Sequence, residues 1–354
     1  MKQGLDHLEL IEKVKGDLPL KEDYIVDSRN IDFRIDDGKT MIDLDGIEFR
    51  GSEHMNGQIA NKLQIPKKYF DRMITDAPQL AETNVDHWLQ NEHKPYMVRT
   101  LGDTARAFLS DRYSIIDNWD VLGACLPALK PFIEQDDIKF EQSHITDNKM
   151  YLRLTVPSKS FDVNPEKGDV VHFGLQISNS EIGLGQVEVS PFLKRLVCTN
   201  GMTATEYGKQ RRHLGISLWD GTDRQVLREE TIVQGNKAWI MTCQDEVNAM
   251  FTGQTFEDIT SKILSATDPE TVIERPAKAI EVITKKYDFS ELESEKIYEN
   301  LIRDNDLTKW GTANAITATA GSVASADRSM DLESIGYKVV NMPTSHWTEL
   351  AKAA

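Results

Sequence analysis

The stretches that decide the fold are KMYLRLTV at residues 149–156 and VVHFGLQI at residues 170–177. In both, apolar and polar side chains alternate, which is the period of a β-strand with one buried face. The wider segments 138–156 and 169–198 therefore predict long strands. We expect these strands to form an antiparallel sheet in the middle of the chain.

The N-terminal part adds shorter strands and helices to this sheet. Residues 23–50 alternate around the turn signals Asp36-Asp37-Gly38 and Asp45-Gly46, which predicts two or three short strands. Residues 96–110 predict a hairpin across Gly102-Asp103. The pattern over residues 56–75 is helical.

The C-terminal part is helical from about residue 226 almost to its end. Asp268-Pro269-Glu270 predicts a helix start, and residues 310–334 predict a helix or helix pair rich in small side chains. Asp117, followed by Asp120, predicts the cap of another helix. The fold class we infer is α+β: a central antiparallel β-sheet with a crossing helix, an N-terminal α+β segment and a helical C-terminal region. The predicted parts are residues 1–93, 94–228 and 229–354.

Composition describes an ordinary folded protein, with 40% hydrophobic and 28% charged residues among 354. The start MKQGLDHLELIEKVKG lacks the apolar core of a signal peptide, and no long apolar run predicts a membrane span. Cys125, Cys198 and Cys243 form no C-x-x-C pair, so we expect neither a disulfide framework nor a cysteine zinc site. Because Cys198 ends an apolar run, we expect it to be structural.

The formal net charge of −16 is unevenly distributed. Residues 1–93 carry −7, residues 94–228 are neutral and residues 229–354 carry −9. Within the neutral part, residues 191–228 hold seven basic and three acidic side chains. Overall acidity does not exclude a local basic site for an anionic partner.

Several composite motifs resemble a phage/plasmid-like protein family catalogued as domain-of-unknown-function family 932. They are RT at 99–100 followed by RAFLSDRY at 106–113, NSEIG at 179–183, RLVCTNGM at 195–202, RRH at 211–213 and WGTANAIT at 310–317. The resemblance covers roughly residues 55–340. Members of that family are carried by phages, plasmids and integrated elements, often near recombination, repair or anti-restriction genes. The resemblance implies DNA metabolism in a bacterial host cytoplasm, and it supplies no catalytic residues.

The basic residues of these motifs are the candidate nucleic-acid-binding site. Guanidinium groups bind phosphates bidentately, and aromatic rings beside them can stack on bases. We expect the segment after Arg195 to gather positive charge at one edge of the sheet, and the 106–113 segment to complete a groove. In the alternative interpretation, the arginines pair with acidic side chains and the glycines only shape a hairpin. The candidates are Arg195, Lys209, Arg211, Arg212, Arg106, Arg112 and Tyr113.

Residues 58–73 imitate a helix-turn-helix, with Gln64 where that motif usually has glycine. A plain helix–proline–helix corner is the interpretation that we favour there. No histidine pair has H-x-x-x-H spacing, and no phosphate-binding glycine loop is present, so no catalytic residue, metal or cofactor is predicted.

The function we predict is single-stranded DNA binding or annealing in phage or plasmid recombination or replication, without nucleotide hydrolysis. Two alternatives remain open: a self-assembling interaction protein or inhibitor of a host defence, and an unfamiliar metal-dependent nuclease. We also predict a homo-oligomer without a membrane partner, because long strands and the alanine-rich C-terminal region leave edges and faces that pack on other copies.

Overall fold

A computed structural model describes residues 4–141, 143–164, 166, 168–197, 201–211 and 229–353. The fold is α+β, with helices at both ends of the chain, as the sequence predicts. The strands form two sheets, however, rather than one central sheet.

The first sheet has six strands in the order β1-β5-β6-β4-β3-β2. The predicted turns are present, since Gly38, Gly46 and Gly102 all have positive φ. β4 and β6 are parallel and join the N-terminal meander to the predicted 96–110 hairpin, so that hairpin completes this sheet. The strands are β1 (Lys21–Asp27), β2 (Ile31–Asp36), β3 (Lys39–Leu44), β4 (Ile47–Gly51), β5 (Pro95–Leu101) and β6 (Thr104–Ser110).

Three helices, α2 (Glu53–Lys62), α3 (Lys67–Asp76) and α4 (Pro78–Glu92), cover one face of this sheet. The corner between α2 and α3 buries Leu63 and Ile65, and Gln64 between them has a φ of 57°. A separate helix, α1 (His7–Asp17), packs instead on the core of the second sheet.

The second sheet is built on three long antiparallel strands, β9, β10 and β11. Short strands lie at its edges, and α5 and α6 precede it in the chain. The elements are α5 (Asn118–Cys125), α6 (Lys130–Glu134), β7 (Lys139–Phe140), β8 (His144–Ile145), β9 (Met150–Asn164), β10 (Asp169–Asn179), β11 (Val187–Arg195), β12 (Gly201–Thr203) and β13 (Lys209–Arg211).

C-terminal helices pack on this sheet and share its large apolar core. The predicted helix start at Asp268-Pro269 is wrong, because residues 268–275 form a turn and the next helix begins at Pro276. Proline at that first helical position loses no hydrogen bond. The helices are α7 (Glu229–Thr252), α8 (Thr255–Ala266), α9 (Pro276–Tyr287), α10 (Glu291–Asp304), α11 (Lys309–Ala320), α12 (Ala326–Val340) and α13 (Thr344–Ala353).

The predicted boundary at residue 93 falls within the first sheet, because β5 and β6 follow it and pair with β1 and β4. In the part of the chain that the structure describes, no helix has the length and apolar character to cross a membrane.

Candidate functional site

A cleft of about 1370 Å³ lies where the two sheets meet. One wall consists of the start and exposed side of α2 with the neighbouring ends of β4 and β6. The opposite wall consists of residues 145–148 and of residues 182–184, in the turn between β10 and β11. The cleft therefore combines segments that are distant in sequence.

The cleft has a basic lining in an acidic protein. Its five basic side chains outnumber its three acidic ones, whereas the chain as a whole carries −16. The basic side chains are Lys13, Arg50, Lys62, Lys67 and Arg106, and the acidic ones are Asp17, Glu53 and Asp147.

Two of these cations are open to an external partner. Arg50 and Lys62 are exposed, and neither forms an ion pair with any residue that the structure describes. Arg50 Nη2 donates only a neutral hydrogen bond, to Thr104 Oγ1 at 3.2 Å. Lys13, Lys67 and Arg106 each pair with a carboxylate of the protein.

α2 presents a polar side to the cleft because its apolar side is needed by the first sheet. Ser52 caps the helix by accepting a hydrogen bond from Met55 N, and Ile59 and Ala60 are buried in the core. His54 and Gln58, four residues apart, lie on the cleft side.

His54 and Gln58 both hold the turn that follows β10. His54 Nε2 lies 2.9 Å from Ile182 O, and Gln58 Nε2 donates to the same oxygen at 2.8 Å. Because a carbonyl only accepts, Nε2 carries the proton of His54 and Nδ1 is free of it in the neutral ring. Burial lowers the pKa of His54 below its ordinary value, and the bond to Ile182 opposes this only in part.

Glu181 in this turn is the centre of a buried ionic cluster. Its carboxylate accepts from Lys21 Nζ at 2.5 Å, from Asn118 N at 2.8 Å and from Arg106 Nη2 at 3.1 Å. Burial alone would raise the pKa of Glu181, but Lys21, Asn118 and Arg106 together lower it, so the group is ionised. We call this set of residues the Glu181 cluster.

Arg99 extends the Glu181 cluster across the first sheet. Its guanidinium is 1% exposed and bonds to Asp23 at 2.7 and 3.2 Å, to Asp117 at 2.7 Å and to Glu181 O at 2.9 Å. These contacts dock the turn after β10 on β1, β5 and the start of α5. The 179–183 motif therefore joins the two sheets.

The 106–113 motif meets the 179–183 motif at this junction. Arg106 lines the cleft. Tyr113, which does not line it, donates a hydrogen bond from Oη to Ser180 O at 3.3 Å. Burial raises the pKa of Tyr113, so its hydroxyl remains protonated. Arg112 is exposed just past β6 and outside the cleft.

Arg195 lies far from this junction. It forms a bidentate pair with Asp169 at 2.5 and 2.8 Å, and its guanidinium packs over the Trp310 ring. Trp310 Nε1 donates to the same carboxylate at 3.2 Å. Since Asp169 and Asn179 are the ends of the 11-residue strand β10, roughly 30 Å separates Arg195 from the Glu181 cluster.

Lys209 and Arg211 lie at the other end of β11 from Arg195. Arg211 is opposite Val187, whereas Arg195 is opposite Val171 of β10, so roughly 25 Å separates the two arginines. Lys209 Nζ lies 3.3 Å from Glu246 Oε1. The structure thus does not gather these basic residues at one edge, and it brings β13 instead toward the cleft end of the sheet. Arg212, His213 and Cys198 lie outside the described residues.

Arg50, Lys62, His54 and Gln58 are site residues that sequence reasoning missed. All four belong to the N-terminal segment 1–93, whose net charge is −7, so a search for basic segments does not select them. Of the four, Gln58 and Lys62 lie in the helix–turn–helix-like segment 58–73, and the polar side of that segment was the signal that could have identified them. Within the described ranges, no group of three or more histidine, cysteine or acidic side chains could hold a metal ion.

A family model described as Domain of unknown function (DUF932) matches residues 106–334. This match begins within β6 and includes the 179–183 turn, Arg195 and α11. No curated protein matches the chain significantly, and neither does any solved structure.

Proposed function

We propose that this chain, which belongs to the DUF932 family of domains of unknown function, binds single-stranded DNA in the cleft between its two sheets. We further propose that it acts in the recombination or replication of a phage or plasmid, without nucleotide hydrolysis. The observation that carries the proposal is the basic excess of the cleft in a chain of net charge −16.

The distribution of charge supports an anionic partner. An acidic protein repels polyanions at long range, so a basic cleft within it restricts binding to one place. Arg50 and Lys62 are exposed, so they can contact phosphates. Each such contact releases condensed counterions, and this release favours binding. Asn61 and Gln64 beside them add hydrogen-bond donors.

The size of the cleft supports a polymer rather than a metabolite. Pockets for small molecules usually enclose about 300–1,000 Å³ and are mainly apolar. This cleft is larger, at about 1370 Å³, and eight of the residues that line it are charged. Arg106 would contact the DNA from the inner wall, while Lys209 and Arg211 on β13 would extend the path beyond the cleft. Arg195, which pairs with Asp169, would stabilise the fold rather than bind DNA.

Fluorescence anisotropy with a labelled oligothymidylate and a labelled duplex tests the proposal. We expect the single strand to bind more tightly, and Arg50→Ala with Lys62→Ala to weaken its binding about tenfold at low salt. The matched control is Lys285→Ala with Lys296→Ala, which removes the same charge from exposed positions on α9 and α10. Equal losses in both double variants would reject the cleft as the binding site.

An assembly or interaction protein is the second candidate, and the outer side of α10 favours it. Tyr298 and Ile302, one turn apart on this helix, are both exposed, and Leu292 near its start is 79% exposed. Apolar side chains left together on a surface often mark contacts between proteins. A homo-oligomer through this surface is compatible with DNA binding, and light scattering with and without DNA separates the two roles.

A further inference from the structure

Arg106 has a feature that its ion pair with Glu181 does not explain. Its side chain is 17% exposed, and Nε is buried without a hydrogen-bond acceptor in the part of the chain that the structure describes. A buried donor that is left without a partner destabilises a fold, so such groups are rare and call for a reason. Arg106 also lines the cleft, so a turn of its side chain toward the cleft would bring the buried Nε to an anionic ligand there.

Glu181 fixes the orientation of this guanidinium without saturating it. Arg106 Nη2 donates to Glu181 Oε2, whereas Lys21 and Asn118 N occupy Oε1. This one bond at Nη2 holds the planar guanidinium at the cleft wall and leaves its other donors for a ligand. Glu181 would also remain paired with Lys21 if Arg106 turned partly toward a ligand.

A second guanidinium lies close to the first. Arg50 Nη2 donates to Thr104 Oγ1, and Thr104 is two residues before Arg106 on β6. Arg50 is opposite Thr104 in the pairing of β4 with β6, Arg106 follows two residues later at a bulge of β6, and both arginines line the cleft. Arg50 and Arg106 are thus near enough to approach neighbouring oxygens of a phosphate group or of a short phosphate chain.

We infer that Arg106 and Arg50 form a phosphate-binding subsite in the cleft, and that Glu181 is the positioning residue for Arg106. This inference rests on the proposed function, because it assigns the contact that anchors the DNA backbone. The ligand chemistry is a phosphate oxyanion, whether it belongs to a phosphodiester or to a free phosphate. Two parallel N–H bonds from a guanidinium suit that geometry better than an ammonium group does.

The test follows the arginine Nε–H signals by NMR in protein labelled with ¹⁵N-arginine. Inorganic pyrophosphate and an oligothymidylate are titrated separately, and the Arg106 signal is the one absent from Arg106→Lys. We expect both ligands to shift this signal, since Nε–H gains an acceptor. Arg106→Lys keeps the charge but loses the two parallel N–H donors of the guanidinium, so we expect about tenfold weaker binding of pyrophosphate. Arg34→Lys, at an exposed arginine of β2 outside the cleft, should leave binding unchanged.

The two ligands separate the possible failures. A shift with pyrophosphate but no binding of oligothymidylate would retain the subsite and reject the proposed DNA binding. Oligothymidylate binding that leaves the Arg106 signal unmoved would overturn the subsite alone. Glu181→Gln should reduce the pyrophosphate-induced shift and weaken binding; an unchanged titration would remove its positioning role.

Arg106→Lys is also checked for folding by thermal denaturation. Should it fail to fold, Arg50→Lys removes the other guanidinium and leaves the Glu181 cluster intact. The same loss of pyrophosphate affinity is then expected, and an unchanged affinity would contradict the subsite.

Discussion

Individual ionic residues hold the two sheets of this protein together, and Arg99 is the clearest case. Burial alone would lower its pKa, but Asp117 and Asp23 more than compensate and raise it. The pairing is required because a buried charge without partners is strongly unfavourable. The sequence gives no sign that an arginine before a predicted turn is buried, since its partners are 76 and 18 residues away.

Arg99→Met should destabilise the protein by about 3 kcal/mol, because Asp23 and Asp117 would lose their buried partner. Urea denaturation and the thermal midpoint measure this loss. Arg29→Met, which breaks an exposed pair with Asp27, is the control and should have no measurable effect. If the two variants are equally stable, the Glu181 cluster does not hold the sheets together.

His54 should make DNA binding depend on pH. Because its pKa lies below the ordinary 6.5, the ring is neutral at pH 7.5 and gains a proton, and a charge beside the cleft, as the pH falls below that pKa. Affinity for single-stranded DNA should therefore rise as the pH is lowered from 7.5 through that pKa. Folding stability should fall in the same direction, since a depressed histidine pKa means that the folded state favours the neutral ring.

Anisotropy titrations over a series of pH values below 7.5, with His54→Gln as the comparison, measure this effect. Glutamine can still donate to Ile182 O but does not titrate, so the variant should lose most of the pH dependence. A pH dependence of the same size in His54→Gln would assign the effect to another group.

At the scale of elements, local sequence patterns predicted most of the turns, hairpins and helix caps. The turns at Gly38 and Gly46, the hairpin across Gly102 and the capping box of Asp117 with Asp120 are all present. The division into two sheets was missed, because the parallel contact of β4 with β6 joins segments separated by about fifty residues. No alternation within either strand reveals such a partner.

Gly183 shows how a turn between strands became part of the junction. Gly183 lies in the turn after β10, outside the strands. Its φ is 79°, and a Cβ would lie 2.8 Å from Leu109 Cδ2 and 3.3 Å from Gln58 Nε2. The backbone conformation therefore favours glycine, and a Cβ would also displace the ends of the Leu109 and Gln58 side chains.

Gly183→Ala should consequently destabilise the protein by about 1–2 kcal/mol. Gly123→Ala is the matched control, since Gly123 lies in α5 with nothing within 4 Å of its would-be Cβ, and alanine favours a helix. The thermal midpoint should fall for the first variant and hold or rise for the second. The opposite order would contradict the docking of this turn on α2 and β6.

At the scale of the whole molecule, the cleft results from packing that the sequence does not display. Counting charge along the chain selected residues 191–228, yet β11 separates Arg195 from Arg211 by its own length. Arg106 was found from its motif, whereas Arg50 and Lys62 come from a segment of net charge −7. The DUF932 match starts at residue 106, so Arg50 and Lys62 lie outside the residues that the family model matches.

The salt dependence of single-stranded DNA binding tests the central proposal most directly, because it counts the phosphates that the protein neutralises. Each contact contributes a slope of about −0.7 to the logarithm of affinity against the logarithm of salt concentration. We predict tight binding at low salt, and a slope shallower by about 1.4 in the variant that lacks Arg50 and Lys62. The slope of the Lys285 and Lys296 control should equal that of the natural protein. Failure of the natural protein to retain single-stranded DNA even at low salt, or an unchanged slope in the cleft variant, would contradict the proposal.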